Sequence, residues 1–156
     1  MIQIEEFVII DRSVPAVFDY LCDFESYPDW IDTVKSAHKV PQGPLRVGSR
    51  YYEQVEFGLI KGQAVWDIVE YEPERLIEFY SHNRLRQERV TFIISAHEDA
   101  TEVRLKDEIK FAVLLRPFEP VIAARWRRVR RQLLGQLKQI LEDHPDPLTR
   151  DRDTVT

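Results

Sequence analysis

The sequence predicts an α+β domain in which a long C-terminal helix covers a curved, seven-stranded antiparallel sheet, and three observations predict it. In residues 117–143 the apolar positions Ile122, Trp126, Val129, Leu133, Leu137 and Ile140 recur at spacings of 4, 3, 4, 4 and 3, which is one stripe of a 3.6-residue helix. From Val34 to about residue 112 apolar and polar residues alternate in six runs, the period of a half-buried strand. Ahead of them lie one strand-like run and two short helical patterns. A striped helix and a sheet with one apolar face must each bury that face, and packing them together does both.

Taken in order, residues 2–10 put Ile2, Ile4, Val8 and Ile10 on one parity and read as the first strand. Ser13 is the expected N-cap of a short helix that tolerates Pro15 in its first turn and buries Val17, Phe18 and Leu21. A second short helix is expected from Ser26 or Tyr27, with Pro28 in its first turn, where a missing N–H costs least. Breaks at PQGP, at 58–62, at EPER, near 82–85 and at HEDA then divide the alternating region into strands at 34–40, 47–57, 62–71, 75–82, 86–96 and 101–112. The long helix ends this domain of residues 1–144. Residues 145–156, PDPLTRDRDTVT, show no apolar period and are expected to form a disordered tail.

Composition bounds the function. A length of 156 residues with 44% apolar content suits one core, and a net charge of −5 argues against a nucleic-acid partner, which needs a broad basic surface. Cys22 is the only cysteine, so no intrachain disulfide forms, and the N-terminus MIQIEEFVII has no signal-peptide pattern. A cytoplasmic location is the expectation. His38, His82, His97 and His144 lack metal-ligand spacing, and no phosphate loop, dinucleotide fingerprint or nucleophile elbow is present. No metal and no cofactor are expected, and no catalytic residue is assigned.

Two stretches carry more than a fold argument. Residues 14–34, VPAVFDYLCDFESYPDWIDTV, place Val17, Phe18, Leu21, Asp23, Tyr27, Pro28 and Trp30 in the pattern VF-x-x-L-x-D-x-x-x-Y-P-x-W, and VWDIVEYEPERLIEFYS forms a hairpin with a glutamate and a proline-bearing turn. In these the chain resembles the START-like helix-grip superfamily (SRPBCC), in particular its bacterial polyketide cyclase/dehydrase and lipid-transport branch. The resemblance implies a sheet gripping the long helix around an apolar cavity that holds a lipid, polyketide or quinone-like molecule. It leaves open whether that molecule is transformed, as by a cyclase or dehydrase, or only carried, as by a lipid or quinone chaperone at a membrane complex. Some aromatase relatives have a cation on the fourth strand; the run at 62–71 carries Asp67 and Glu70 and no arginine, which weighs against aromatisation.

Strand parity nominates the cavity wall independently, because alternate side chains face opposite sides of a sheet. Tyr51, Glu53, Val55 and Phe57 share a face, as do Phe79 with Ile77, then Glu88, Val90 and Phe92, then Leu105, Asp107 and Ile109. The run at 62–71 is ambiguous, since Trp66 with Ile68 opposes Val65 with Val69. From the helix come Ile122, Trp126 and Leu133, joined by Arg130, which falls about 50° from the stripe centre and can meet an inward carboxylate, foremost Asp107. Such a pair either anchors a polar ligand group or is purely structural. The other arginines of RWRRVRR fan around the helix and read as a solvated face; they favour the membrane-complex alternative only weakly, and membrane contact is not the expectation.

Overall fold

The computed structural model describes residues 1–143, and the expected tail lies outside the described residues. Strand β1 (Ile2–Ile10) leads into helix α1 (Val14–Cys22), a 3-10 turn (Phe24–Ser26) and helix α2 (Tyr27–Trp30). Strands β2 (Val34–Val40), β3 (Arg50–Phe57), β4 (Ile60–Glu72), β5 (Leu76–His82), β6 (Arg86–His97) and β7 (Ala100–Phe111) follow. A second 3-10 segment (Val113–Phe118) then delivers the chain to helix α3 (Glu119–Asp143). The seven strands form one antiparallel sheet in the order β1-β7-β6-β5-β4-β3-β2, so neighbours in sequence are neighbours in space except where β1 closes onto β7.

Local chemistry sets the boundaries. Ser13 is extended (φ −67, ψ 153) and its Oγ accepts the Ala16 N–H at 3.4 Å, capping α1. Strand β3 begins at Arg50 rather than 47 because Gly48, at φ +91, turns the chain first, with the Ser49 hydroxyl accepting the Arg46 N–H at 3.1 Å. Gly58, at φ +62, opens the two-residue turn between Phe57 and its partner Ile60, the position where a hairpin of this length calls for glycine. Pro117 lies in the 3-10 segment, so α3 starts two residues later than the sequence pattern implies.

The ambiguous parity of β4 has a physical cause. Ile68 pairs with Phe79 and Tyr71 with Ile77, so one extra residue is accommodated around Val69 as a bulge. Trp66 and Ile68 face inward on even numbers, and Tyr71 faces inward on an odd one, packing its ring 5.9 Å from Phe18. A second irregularity in β2 similarly lets both Val34 and Ala37 turn inward.

The helix is rotated from the expected stripe. Its buried residues are Ala123, Leu133, Leu134, Leu137 and Leu141, whereas Ile122, Trp126, Val129 and Ile140 are only half-buried. The line 123-130-134-137-141 follows the same helical spacing and puts Arg130 at the centre of the buried face. The stripe drawn from large apolar residues alone misses this, because alanine and arginine carry little weight in such a pattern. Along β1 and β7, Ala123 joins Ile2, Ile4 and Ile109 in a small tightly closed cluster, while Leu133, Leu134, Leu137 and Leu141 belong to the main core.

Candidate functional site

Between α3, α2 and the concave face of β3–β6 lies a cavity of about 350 Å³, within the usual size range of small-molecule sites. Tyr51, Glu53, Val55, Phe57, Trp66, Phe79, Glu88, Val90, Phe92, Trp126, Arg130 and Leu133, nominated from parity and helix phase, all line it. Leu105, Asp107, Ile109 and Ile122 do not. Leu105 and Ile109 are fully enclosed, Leu105 in the main core and Ile109 in the small cluster around Ala123, whose short side chain lets α3 lie close along β1, and Ile122 packs beside that cluster. Asp107 lies behind the lining, bonded to Arg130 and beside Glu88, both of which face the cavity.

The cavity has a closed floor and an open rim. Tyr27, Trp30, Tyr51, Phe79 and Phe92 are buried and pack edge-on or stacked, with Phe24 stacked on Tyr51 at 4.5 Å and Phe79 edge-on to Tyr51 at 5.4 Å. At the other end Phe57 is 50% exposed, and the Arg125 guanidinium lies over its ring at 5.0 Å, bridging helix and hairpin across the opening.

An ion network forms the seam between the cavity and the sealed part of the core. Arg130 donates from Nε to Asp107 Oδ2 and from Nη2 to Glu88 Oε1, both at 2.6 Å, and the two carboxylate side chains are wholly inaccessible. Arg86 Nη1 approaches Glu88 Oε2 at 2.9 Å, an ion contact whose angle falls outside hydrogen-bond geometry. Both guanidinium groups sit 5.8 Å from the Trp126 ring centre. Burial pushes the Asp107 pKa up, and neighbouring Glu88 adds to the rise while Arg130 opposes it, leaving it at about 6. For Arg130 burial favours the neutral form, yet Asp107 and Glu88 outweigh it and hold the guanidinium firmly charged. Two of the donors that would grip a ligand are thereby committed to the protein.

Glu53 stands apart. Its Oε2 accepts the Trp66 Nε1–H at 3.1 Å, and it has no guanidinium in contact among the described residues. Burial raises its pKa to about 7 against the lowering effects of the Trp66 bond and of Arg130, so it exchanges a proton near neutrality. Two further groups lack partners among the described residues: the indole N–H donors of Trp30 and Trp126 are buried with no acceptor, and both rings line the cavity. Cys22 is no nucleophile, since burial, helped by Asp19, pushes its thiol up to about 12. Among the described residues no group of three or more His, Cys, Asp or Glu is placed to hold a metal ion, and no helix is long and apolar enough to cross a membrane.

Arg86 was the readable omission. It lies two residues before Glu88 on the same strand, so the parity that nominates Glu88 nominates Arg86 as well. The contributions of Tyr27, Trp30, Ile31 and Thr33 had no such signal, because they depend on how α2 and its connection to β2 fold over the sheet.

With this geometry in place, comparison with known proteins is informative. The family described as polyketide cyclase/dehydrase and lipid transport matches residues 1–142. No curated protein sequence matches significantly. Solved structures that share the fold include TTHA0849 from Thermus thermophilus, at 14% identity and TM-score 0.74, covering 89% of this chain and 96% of that one. The Zhui aromatase/cyclase from a Streptomyces species superposes at 10% identity and TM-score 0.73, covering 94% and 96%. The di-domain aromatase/cyclase BexL of the BE-7585A biosynthetic pathway gives 16% identity and TM-score 0.77 over 93% of this chain and 48% of that one. At these identities the likeness is one of fold, the helix-grip arrangement.

Proposed function

Because the chain belongs to the polyketide cyclase/dehydrase and lipid transport family, we propose that it binds a hydrophobic or aromatic small molecule, of lipid, polyketide or quinone-like character, in the cavity between sheet and α3. The observation that carries this reading is the cavity itself: about 350 Å³ walled by aromatic and aliphatic side chains, with a few convergent polar groups in an apolar lining, the usual anatomy of a ligand pocket. Glu53 offers an acceptor when ionised and a donor when protonated, and the indole N–H groups of Trp30 and Trp126 offer donors. A ligand bearing a carbonyl or hydroxyl on a flat apolar body matches this set.

The chain supplies its own reporter. It has three tryptophans, and Trp30, Trp66 and Trp126 all line the cavity. Titration with menadione, a hydroxyanthraquinone and oleic acid should give saturable one-to-one quenching for at least one of them. Ala64→Phe, which projects bulk into the cavity, should weaken it. Quenching that never saturates, or that ignores Ala64→Phe, rejects cavity binding.

A second reading, that the bound molecule undergoes proton-transfer chemistry such as cyclisation or dehydration, is favoured by Glu53 alone. A carboxyl titrating near pH 7 inside an apolar pocket is matched to general acid or base work. Under this reading Glu53→Gln abolishes turnover of a polyketone substrate while tryptophan quenching by the same substrate persists. Turnover that survives the substitution removes Glu53 from any chemistry.

A further inference from the structure

Large apolar side chains left exposed on this protein are not scattered. Among the described residues thirteen are exposed, and eight of these gather at the end of the sheet where the cavity opens. The β3–β4 hairpin tip carries Phe57, Leu59 and Ile60, with Leu59 fully exposed as the second residue of the two-residue turn. Leu85 protrudes from the β5–β6 connection, and its backbone carbonyl accepts the Ala112 N–H at 2.9 Å, which ties that connection to the segment leading into α3. That segment and the first turn of α3 expose Val113, Leu114, Phe118 and Val121. All three connections lie at the same end because β3, β5 and β7 run in one direction in an antiparallel sheet.

The charges divide the same way. At the cavity end, Lys61, Arg84, Arg116 and Arg125 are exposed; of the acidic side chains there, Glu56 is paired with Lys61, Glu119 with the N-terminal ammonium, and Asp32, just ahead of β2, accepts from Gln136. At the opposite end the connections carry Asp11, Glu72, Glu74, Glu98 and Asp99 against Arg12, Arg46 and Arg75, with Glu72 paired to Arg75, and α3 finishes at Glu142, paired to Lys138, and Asp143, so the acidic charges there outnumber the basic ones. A chain of net charge −5 thus presents a locally basic, apolar-tipped end and an acidic back. Apolar tips flanked by arginine and lysine are suited to a lipid interface, where the tips enter the acyl boundary and the cations meet anionic headgroups. Isolated loop tips, not a concave groove, are a poor seat for a folded partner.

We infer that the end of the molecule formed by the β3–β4 tip, the β5–β6 connection and the start of α3 docks on an anionic lipid surface, with the cavity opening toward it. An apolar ligand then passes between bilayer and cavity past Phe57 and Arg125 without crossing water. The arginine cluster of α3 is reinterpreted accordingly: Arg125 belongs to this surface by its place at the opening, whereas Arg130 is committed to the core.

The test is flotation of the full chain with vesicles of phosphatidylcholine alone and of phosphatidylcholine with phosphatidylglycerol. Binding is expected only to the anionic vesicles, and should weaken as salt shortens the Debye length. The double variant Leu59→Asp/Phe118→Asp should lower the bound fraction by about tenfold or more, because both tips would carry charge into the interface. Val40→Asp, at the opposite end of β2, should leave it unchanged. Absence of flotation, or equal flotation of the double variant, overturns the inference. So does a lipid-free self-association, seen by sedimentation velocity, that the double variant abolishes, since the patch then covers a second copy. Neither tip residue lines the cavity, so tryptophan quenching by a soluble ligand should be the same in the double variant. Loss of docking and loss of ligand binding are therefore separately visible.

Discussion

Replacing Arg130 with methionine keeps much of the side-chain stem while removing the cation that two buried carboxylates share. Asp107 and Glu88 have no solvent access, and each accepts from Arg130 at 2.6 Å. Arg86 continues to neutralise Glu88 in the variant, so the loss falls mainly on Asp107. Breaking one partner out of a buried ion pair typically costs about 3 to 5 kcal/mol. For a domain of this length that corresponds to a melting temperature lower by roughly 10 °C. The cost depends on pH in a defined sense. The folded-state pKa of Asp107 is already raised, from 3.8 to about 6, and rises further without Arg130, so folded protein binds a proton that unfolded chain has released. The penalty is small below pH 4, where the carboxyl is neutral in both states, and grows as pH climbs through the folded value. Urea unfolding at pH 4.5 and pH 8 measures both points. Adding Asp107→Asn and Glu88→Gln to the same chain should recover most of the loss at pH 8. A single variant within about 1 kcal/mol of wild type at pH 8 would refute the view that the network holds the seam of the core.

Glu53→Gln should stabilise the fold at pH 8 and leave it nearly unchanged at pH 4, because the folded pKa of about 7 exceeds the ordinary 4.5 and wild-type stability falls as pH rises between those values; the difference at pH 8 is at most about 3 kcal/mol, and paired unfolding curves without this crossover would contradict the burial argument. Phe79→Ala should cost about 3 to 5 kcal/mol by denaturant titration, since the ring is buried among Phe24, Tyr51 and Phe92 and closes the cavity floor; the enlarged floor should also admit bulkier quenching ligands. Ser13→Ala should lower stability by about 0.5 to 1 kcal/mol, the low end for a cap whose acceptor distance is 3.4 Å.

The sheet was legible because antiparallel strands with one buried face write their register into every second residue. Val103, Leu105 and Ile109 face the core with Asp107, as alternation requires, and β7 needs no tertiary information to be oriented. Where the pleat is interrupted the signal fails: at Val69 a single inserted residue reverses parity, and only the pairing of Ile68 with Phe79 and Tyr71 with Ile77 resolves it. The helix was legible in existence and length but not in rotation, because close approach is set by a small residue. Ala123 is the point of contact with Ile2, Ile4 and Ile109, and a pattern weighted by hydrophobic bulk passes over it. For the same reason Ile109 was read as facing an open gap when it packs against Ala123, and Leu105 was read so when it is sealed in the main core.

These two features together explain why a cavity exists on one side of α3 and not the other. The helix is fastened along β1: Arg131 reaches Glu6, Lys138 donates to the Ile9 carbonyl at 2.6 Å, and Arg12 donates to the Glu142 carbonyl at 2.9 Å. On its opposite flank it meets α2 and the residues after it, where Gln136 donates to Asp32 at 3.1 Å. Tyr27 and Trp30 are bulky, and Tyr27 is pinned by its hydroxyl bond to the Leu21 carbonyl at 2.7 Å, so this flank is held off the sheet. A rigid helix resting low on one edge and high on the other leaves a wedge over β3–β6. Filling that wedge with protein would need larger residues than Ala64 and Val90, and collapsing it would drive Glu53 into contact with apolar atoms at the cost of a buried unpaired carboxyl. The void is therefore maintained from both sides, by props that resist closure and by a polar group that penalises it, which is what a preformed ligand site requires.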